Sequence, residues 1–256
     1  GIRYFGFRWW HFFIAKKKFL SQNLDKFDLI VDLQSKIRNT CILNRLPHVE
    51  FYSATFRFKF CTRKIQSESK DHLENLNYFL DSNIKNIKFD MDNLPKTLKD
   101  EAIRLLPDKN YIGFSITQGN VYRKKSWSVI KFIQLANKIN ENNKTPVFLI
   151  GKEQTELIKE IKSKVPNALF PEFYSNISCP ALVTALASRL SLAISIDNGV
   201  MHMISLANVP MIVLFGPTDS EKFAPKVDSI KVLDSKKIYN SKNIDMITVQ
   251  DVFKLI

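Results

Sequence analysis

The sequence lacks the features that mark membrane-spanning, secreted or metal-binding chains. Its three cysteines, Cys41, Cys61 and Cys179, lie far apart and do not have the spacing of metal ligands. No run of about 20 uninterrupted apolar residues is long enough to cross a bilayer. No segment has the charged, apolar and small-residue order of a secretory signal peptide. We therefore expect a soluble globular protein with reduced thiols, located in the cytoplasm.

Acidic residues are scarce relative to basic ones. The chain has 38 Lys and Arg against 25 Asp and Glu, which gives a formal net charge of +13. This excess favours acidic partners such as nucleic acid, anionic lipid or a phosphorylated substrate. Charge alone does not choose among them. A compositional bias toward Lys and Asn, as in residues 83–88, explains part of the excess equally well.

One stretch of the sequence predicts a ligand site. An apolar run at 192–194 leads into Asp197, Asn198 and Gly199, and a second apolar run follows at 211–215. This order is typical of strand, turn, helix and strand, with polar residues where the first strand ends. In open α/β sheets ligands bind at that edge, and a helix N-terminus there offers free N–H groups to an anion. We predict a site for a nucleotide or a nucleotide sugar.

The rest of the chain alternates strand-like and helix-like segments, which predicts an α/β fold with parallel sheets. In the second part we expect strands near 111–116, 146–150, 168–170, 191–196 and 210–215, with helices at 127–140, 153–163, 180–189, 200–207 and 248–256. In the first part we expect strands at 28–32 and 48–53, helices at 35–46 and 69–80, and an exposed strand or a loop at 55–62. A polar stretch ending near Pro95 is the predicted linker, so the predicted domains are 1–94 and 95–256.

The stretch around Asp197 resembles glycosyltransferase family 9, which includes the bacterial heptosyltransferases of lipopolysaccharide core synthesis. The family pattern is Asp-Thr-Gly, two residues and His, then a helix and a strand ending in Phe-Gly-Pro-Thr. The chain matches it from Asp197 to His202 and at 215–218, with Asn198 in place of Thr. Further resemblance, partly in altered form, lies at 27–34, 113–119, 125–127 and 148–153.

The resemblance implies a GT-B-like fold, in which two Rossmann-like domains have parallel sheets and the N-terminal domain is shortened or incomplete. It implies a glycosyltransferase that moves a heptose-like sugar from a nucleotide-diphosphate donor, ADP-heptose in the family, to a lipopolysaccharide core or related glycan. The donor is a substrate, so we expect no cofactor. We also expect no metal site of the Asp-any-Asp type used by the other major glycosyltransferase fold. The expected partners are the donor and an anionic glycolipid acceptor, and no nucleic acid.

The resemblance also implies which residues bind the donor. They are Thr117, Gln118, Gly119, Lys125, Glu153, Asp197, Asn198, Gly199 and His202. Residues 117–119 would offer a hydroxyl and N–H groups to phosphate oxygens, and Lys125 a cation. Asp197 and Asn198 equally suit the cap of the following helix. Gly199 suits a close approach or an unusual backbone angle.

Several of these residues have a competing interpretation. Lys125 is equally compatible with a solvated side chain in a basic loop. Glu153, expected to accept hydrogen bonds from a ribose or a base, has Glu156 as a neighbour of equal reach. The turn at 216–218 suits a purely structural role as well as a binding role, because Pro makes it rigid.

The first 15 residues contain seven aromatic side chains, and Lys16, Lys17 and Lys18 follow them. One interpretation is an amphipathic helix at an anionic membrane surface, which implies peripheral contact with the cytoplasmic membrane face. The other is a helix packed on the protein's own body with its lysines in water. We favour the second, because the aromatic residues occur all around the helical wheel.

The family's N-terminal strand and Gly-Asp loop, whose Asp is the expected general base, have no counterpart before Asp28. The chain begins at Gly1, so we expect either a part of a longer protein or a shortened acceptor domain. We assign no catalytic residue, and Asp32 suits either a cleft or a helix cap. Two alternatives stay open: a nucleotide-sugar-binding protein without catalysis, and a basic nucleic-acid-binding protein supported by charge and by the aromatics of 51–60.

Overall fold

The structure, a computed structural model, describes residues 6–19, 25–65, 69, 72–83, 89–108, 110–118 and 125–256. The chain divides into two compact units, Gly1–Ile87 and Lys88–Ile256. This division precedes the sequence-based boundary after Leu94, because Leu94 is buried in the core of the second unit together with Leu98 and Ala102. Both units contain a parallel sheet, so the predicted α/β class with parallel sheets is confirmed.

The first unit is built on two parallel strands. Its elements are α1 (His11–Phe19), β1 (Phe27–Asp32), α2 (Ile37–Asn44), β2 (His48–Ser53) and α3 (His72–Leu80). Strands β1 and β2 pair in parallel, with Asp32 opposite Ser53. A small core of Ala15, Ile30, Ile42, Leu46 and Phe51 lies between the sheet and the helices. Residues 56–58 have positive φ angles, so the aromatic segment 55–62 is a turn and not a strand.

Asp32 is a structural residue of this unit. Its Oδ2 accepts hydrogen bonds from Thr40 Oγ1 at 2.6 Å and from Ser53 Oγ at 3.0 Å. Its Oδ1 accepts from the backbone N–H groups of Gln34 and Ser35, each at 3.2 Å. The carboxylate is 3% exposed and closes the turn between β1 and α2. These contacts give Asp32 a structural role in the turn, but Asp32 does not cap α2, because the N-cap residue of α2 is Lys36 and the helix has no side-chain cap hydrogen bond.

The second unit is a doubly wound sheet. Its elements are α4 (Lys96–Leu105), β3 (Tyr111–Ser115), α5 (Val129–Glu141), β4 (Thr145–Phe148), α6 (Thr155–Lys164), α7 (Pro171–Tyr174), α8 (Pro180–Ala187), β5 (Leu190–Ile196), α9 (Gly199–Leu206), β6 (Met211–Phe215), α10 (Ser220–Phe223), β7 (Ile230–Asp234), α11 (Ser235–Tyr239) and α12 (Val249–Phe253). The five strands are parallel in the order β4-β3-β5-β6-β7. Beyond β4, Leu169 makes a single bridge to Val147 where the sequence predicts a strand near 168–170.

Both faces of this sheet are buried, which explains the apolar runs in the sequence. Along β6 every residue is buried, and successive side chains enter opposite cores. Ile212 and Leu214 belong to one cluster, whereas Val213 and Phe215 belong to the other. Strand β4 lies on one side of β3, and β5, the next strand in the chain, lies on the other side. The strand order therefore reverses at β3, which makes this point the switch point of the sheet. The crevice for a ligand is therefore expected between the carboxyl ends of β3 and β5.

Some elements escaped prediction because they carry few apolar residues. Half of the residues of helix α4 are charged, and the helix buries only Leu98 and Ala102, one turn apart. Strand β7 lies at the edge of the sheet, where Lys231 and Val232 are exposed, so its pattern does not alternate. The predicted C-terminal helix is present, and Thr248 caps it in a capping box with Asp251. Within the described residues, no helix combines the length and the apolar character needed to cross a membrane.

Glu101 links α4 to the segment before α8 and makes stability depend on pH. Its carboxylate accepts two hydrogen bonds from Arg104, each at 2.8 Å, and one from Ser175 Oγ at 2.7 Å. The bonds from Arg104, then that from Ser175, lower the pKa of Glu101 from 4.5 to about 2. A lowered folded-state pKa means that the stabilisation is complete above the unfolded pKa and disappears as the pH falls toward the folded one.

We expect Glu101→Gln to lower the free energy of unfolding by about 1 kcal/mol at neutral pH, a modest value because solvent screens the exposed Arg104. The difference from the unsubstituted chain should shrink as the pH falls from about 4.5 toward 2. Urea denaturation at a series of pH values measures it. A difference that does not change with pH would contradict the assigned ion pair.

Candidate functional site

The structure brings the two main predicted segments together at the switch point of the second unit. Strands β3 and β5 are neighbours, with Ser115 opposite Ser195, so the residues after each strand share one edge of the sheet. Thr117 and Gln118 follow β3, and residues 197–199 follow β5. Gly119, also a predicted site residue, lies outside the described residues.

Asn198 joins the two strand ends and caps helix α9. Its Nδ2 donates to Ser115 Oγ at 2.8 Å and to the backbone oxygen of Thr117 at 2.9 Å. Its Oδ1 accepts from the backbone N–H of Met201 at 2.9 Å, which makes it the N-cap. Both amide hydrogens are therefore used within the protein. The side chain holds the site together, and direct hydrogen-bond donation to a ligand by Asn198 is not available in this arrangement.

Lys125 and Asp197 form a largely buried ion pair at the same edge. The Lys125 ammonium contacts Asp197 Oδ2, and the two side chains are 13% and 9% exposed. The backbone N–H of Lys125 donates to Gln118 Oε1 at 2.9 Å. The solvated-side-chain interpretation of Lys125 is thus wrong, because its ammonium is paired and mostly covered.

These contacts close a ring. Asp197 is paired with Lys125, whose backbone N–H is hydrogen-bonded to Gln118. Gln118 follows Thr117 in the chain, and the backbone oxygen of Thr117 accepts a hydrogen bond from Asn198, the residue after Asp197. We call these five residues the polar ring. It places one cation and one carboxylate beside the N-terminus of α9, where the helix dipole favours anions.

Trp127 fixes the segment that carries Lys125. Its side chain is buried, and its Nε1 donates to the backbone oxygen of Ile247 at 2.9 Å. Its ring meets Phe132 edge-on, with the centroids 4.8 Å apart. The Lys-any-Trp spacing therefore has a physical basis: Trp127 anchors the chain in the core, and Lys125 is held two residues away at the rim.

Helix α9 presents Gly199 and His202 at this edge. Gly199 is exposed and has no positive φ angle, so the predicted unusual backbone angle is wrong. A Cβ at Gly199 would meet no atom within 4 Å, so the fold itself does not require glycine there. His202 is exposed to solvent. Partial desolvation by the surrounding protein lowers its pKa from 6.5, and the nearby Asp197 carboxylate opposes this shift.

Glu153 lies at the end of β4, apart from the polar ring. A Cβ on Gly151 would lie 2.5 Å from both carboxylate oxygens of Glu153, so glycine makes room for this side chain. Burial, and then the charge of Glu153, raise the pKa of Glu172 at the start of α7. Glu156 instead pairs with Lys159 at 3.0 Å in open solvent. The two neighbouring glutamates are thus distinguished, since only Glu153 faces other groups at the sheet edge.

The turn at 216–218 was identified from the sequence, but Phe223, which follows it, was not. Gly216 is structural, because a Cβ would lie 2.8 Å from Ile244 Cβ and 3.0 Å from its backbone nitrogen. The turn it begins leads to α10, whose Phe223 ring centroid lies 5.9 Å from the Lys125 ammonium. Phe223 is 39% exposed and forms an apolar wall beside the polar ring. An aromatic residue shortly after the Gly-Pro-Thr turn was the only sequence signal for it.

The sequence does contain an Asp-any-Asp triplet, at Asp90, Met91 and Asp92. The expectation of a metal-independent enzyme assumed that there was none. In the structure Asp90 Oδ1 accepts from the backbone N–H of Asp92 at 2.9 Å and caps a short 3-10 turn. Within the described ranges, no group of three or more His, Cys, Asp or Glu side chains is placed to hold a metal ion.

A doubly wound parallel sheet with a cation at its switch point defines an α/β protein that binds a ligand at the carboxyl edge of its strands. The model of glycosyltransferase family 9 (heptosyltransferase) matches residues 17–253, so the chain belongs to this family and is a glycosyltransferase. No curated protein sequence matches the chain.

The solved structures of similar fold include two heptosyltransferases and a further member of the family. The glycosyltransferase family 9 protein from Veillonella parvula DSM 2008 is 18% identical, with a TM-score of 0.68 over 90% of this chain and 72% of that one. E. coli heptosyltransferase WaaC with ADP is 16% identical, with a TM-score of 0.65 over 90% and 72%. E. coli ADP-heptose lps heptosyltransferase II is 15% identical, with a TM-score of 0.60 over 95% and 77%. These similarities show the GT-B-like fold.

Proposed function

We propose that the chain transfers a heptose-like sugar from a nucleotide-diphosphate donor, specifically ADP-heptose, to a lipopolysaccharide core or related glycan in the cytoplasm. The observation that carries the proposal is the polar ring, which holds Lys125 beside the N-terminus of α9. Two structures of one protein of similar fold support the choice of donor: E. coli WaaC has been solved with ADP and with ADP-2-deoxy-2-fluoro heptose.

The ring provides what departure of a diphosphate requires. The leaving group gains negative charge as the bond to the sugar breaks, and a fixed cation with aligned N–H groups stabilises that charge. Lys125 supplies the cation and the first turn of α9 supplies the N–H groups. Asp197 holds Lys125 in place, and its carboxylate is a natural acceptor for sugar hydroxyls. His202, with its lowered pKa, is mainly neutral at pH 7 and so offers one donor and one acceptor.

Titration calorimetry with ADP, UDP, GDP and ADP-heptose tests the donor, and release of ADP after addition of a deacylated core oligosaccharide tests transfer. We expect binding of ADP and ADP-heptose in preference to the others, followed by release. Binding without release would favour a nucleotide-sugar-binding protein that lacks catalysis. Equal binding of all three diphosphates would contradict the adenine assignment.

Gly199 gives a sharper test, because its position is open in the free protein. We expect Gly199→Val to leave the free energy of unfolding nearly unchanged, and to weaken ADP-heptose binding about tenfold or more, since the added side chain occupies the space above the helix N-terminus. Calorimetry and thermal unfolding measure the two effects.

Gly6→Val is the matched control, because Gly6 in the first unit also has nothing within 4 Å of an added Cβ. It should change neither stability nor donor binding. If Gly199→Val bound the donor as tightly as the unsubstituted chain, the ligand would not approach the start of α9, and the proposed site would be wrong.

A further inference from the structure

Helix α1 has a second apolar face that the protein does not cover. On one side of the helix, His11 and Ala15 are 5% and 1% exposed, and Phe12 packs beneath the guanidinium of Arg45 at 4.6 Å. This side contacts α2 and the core of the first unit. The packed-helix interpretation that we favoured from the sequence therefore accounts for one side of α1 only.

The opposite side carries large apolar residues in solvent. Trp10, Phe13 and Ile14 are 60%, 81% and 44% exposed, and Trp9 beside them is 58% exposed. Hydrogen bonds from the N–H groups of residues 12 and 13 to the oxygens of residues 9 and 10 extend the helical turn back to the tryptophans. Residues 10, 13 and 14 have the spacing of one helical face, so these side chains form a contiguous surface. We call Trp9, Trp10, Phe13 and Ile14 the aromatic face.

Positive charge surrounds the aromatic face. The first 24 residues contain five basic side chains and no acidic one. Arg8 lies over the Trp10 ring, 6.0 Å from its centroid, and Lys16 is exposed one turn further along the helix. Lys17 and Lys18 follow in the sequence. An exposed apolar surface with Arg8 and Lys16 beside it is complementary to a bilayer with anionic headgroups.

We propose that the aromatic face of α1 is a docking surface for an anionic lipid bilayer. Tryptophan suits this position because its ring is apolar and its N–H is polar, as the boundary between acyl chains and headgroups requires. Lys16, exposed on the next turn of α1, then lies at the level of the headgroups. The surface belongs to the first unit alone, so the proposal does not depend on the donor site.

A second copy of the chain is the competing occupant, and charge disfavours it. Two such faces would bring Arg8 and Lys16 of one copy against the same two residues of the other, with no carboxylate in the first 24 residues to pair with them. Anionic headgroups would instead attract these basic side chains. We therefore expect that lipid-free copies of the chain do not associate through the aromatic face.

Intrinsic fluorescence reports directly on the aromatic face. The chain has three tryptophans, and Trp127 is buried, so Trp9 and Trp10 dominate any response to lipid. We expect a blue shift with vesicles of phosphatidylglycerol and phosphatidylcholine, quenching by brominated acyl chains, and little response to phosphatidylcholine alone. Sedimentation with the vesicles measures the partition coefficient.

Variants separate the apolar and ionic contributions. The triple variant Trp9→Ser, Trp10→Ser, Phe13→Ser should lower partitioning on the order of a hundredfold, because it removes most of the apolar area. Replacing Lys16, Lys17 and Lys18 by Gln should lower it by about fivefold for each lysine, and only on anionic vesicles. The control Ile103→Ser, Ile130→Ser, Phe173→Ser removes exposed apolar residues of the second unit and should change nothing.

Two results would overturn the proposal. Unchanged vesicle binding by the serine variant is one. The other is a lipid-free dimer in analytical ultracentrifugation that the serine variant converts to a monomer, because the face would then be an interface between copies. Since these substitutions lie far along the chain from the polar ring, ADP binding by the serine variant should be unchanged. If the unsubstituted chain did not bind ADP, the donor proposal would be wrong and the proposal of a bilayer-docking surface would be unaffected.

Discussion

Lys125→Met should nearly abolish binding of ADP and ADP-heptose, with a loss of about a hundredfold or more. The substitution removes the cation that we propose binds the diphosphate, and it leaves the buried carboxylate of Asp197 without its partner. Breaking a buried ion pair from one side costs about 3 kcal/mol, since the remaining charge is uncompensated. The variant should therefore also unfold at lower urea concentration.

The double variant Lys125→Met, Asp197→Asn separates these two effects. Removing the carboxylate charge as well should restore most of the lost stability, while donor binding should stay absent. Lys159→Met is the control, because Lys159 pairs with Glu156 in open solvent and is 68% exposed. A double variant that regained both stability and affinity would show that Lys125 has only a structural role.

The sequence was sufficient to predict which segments meet at the candidate site but not to assign the role of each residue. Buried parallel strands are continuous apolar runs, so β3, β5 and β6 and the polar residues at their ends were predictable. Asp197 and Lys125 are 72 positions apart. Their pairing depends on the placement of β5 beside β3, which no local pattern encodes. The same holds for Phe223, which reaches Lys125 only through the turn after β6.

Asp32 shows the same limit in the first unit. An Asp at the end of a strand is compatible with chemistry in a cleft or with a cap, and the sequence leaves both readings open. The structural role of Asp32 follows from four hydrogen bonds to its carboxylate, which are donated by Gln34, Ser35, Thr40 and Ser53. Ser53 belongs to the neighbouring strand, so the sequence around Asp32 does not reveal this contact. The two-sided character of α1 is similar: aromatics all around a helix indicate burial, but only the fold shows which side is covered.

Asn198→Ala should lower the free energy of unfolding by about 3 kcal/mol and weaken ADP-heptose binding about tenfold. The alanine removes the N-cap of α9 and both donations that fasten the β3 segment to the end of β5. Release of that segment loosens Gln118 and, through it, the backbone of Lys125. Binding should weaken even though Asn198 itself donates nothing to the ligand.

Asn198→Thr, which restores the residue of the family pattern, divides the two functions of Asn198. Threonine keeps a capping oxygen, but its hydroxyl has one hydrogen to donate instead of the two of the amide, so at least one donation is lost and stability should fall by about 1 kcal/mol. Amide exchange should stay slow at Met201 and become faster at Lys125. Asp90→Ala, which removes a different cap in the same unit, should leave affinity unchanged. If Asn198→Ala bound ADP-heptose normally, Lys125 would be held by Asp197 and Trp127 alone, and the closed ring would have no part in presenting the cation.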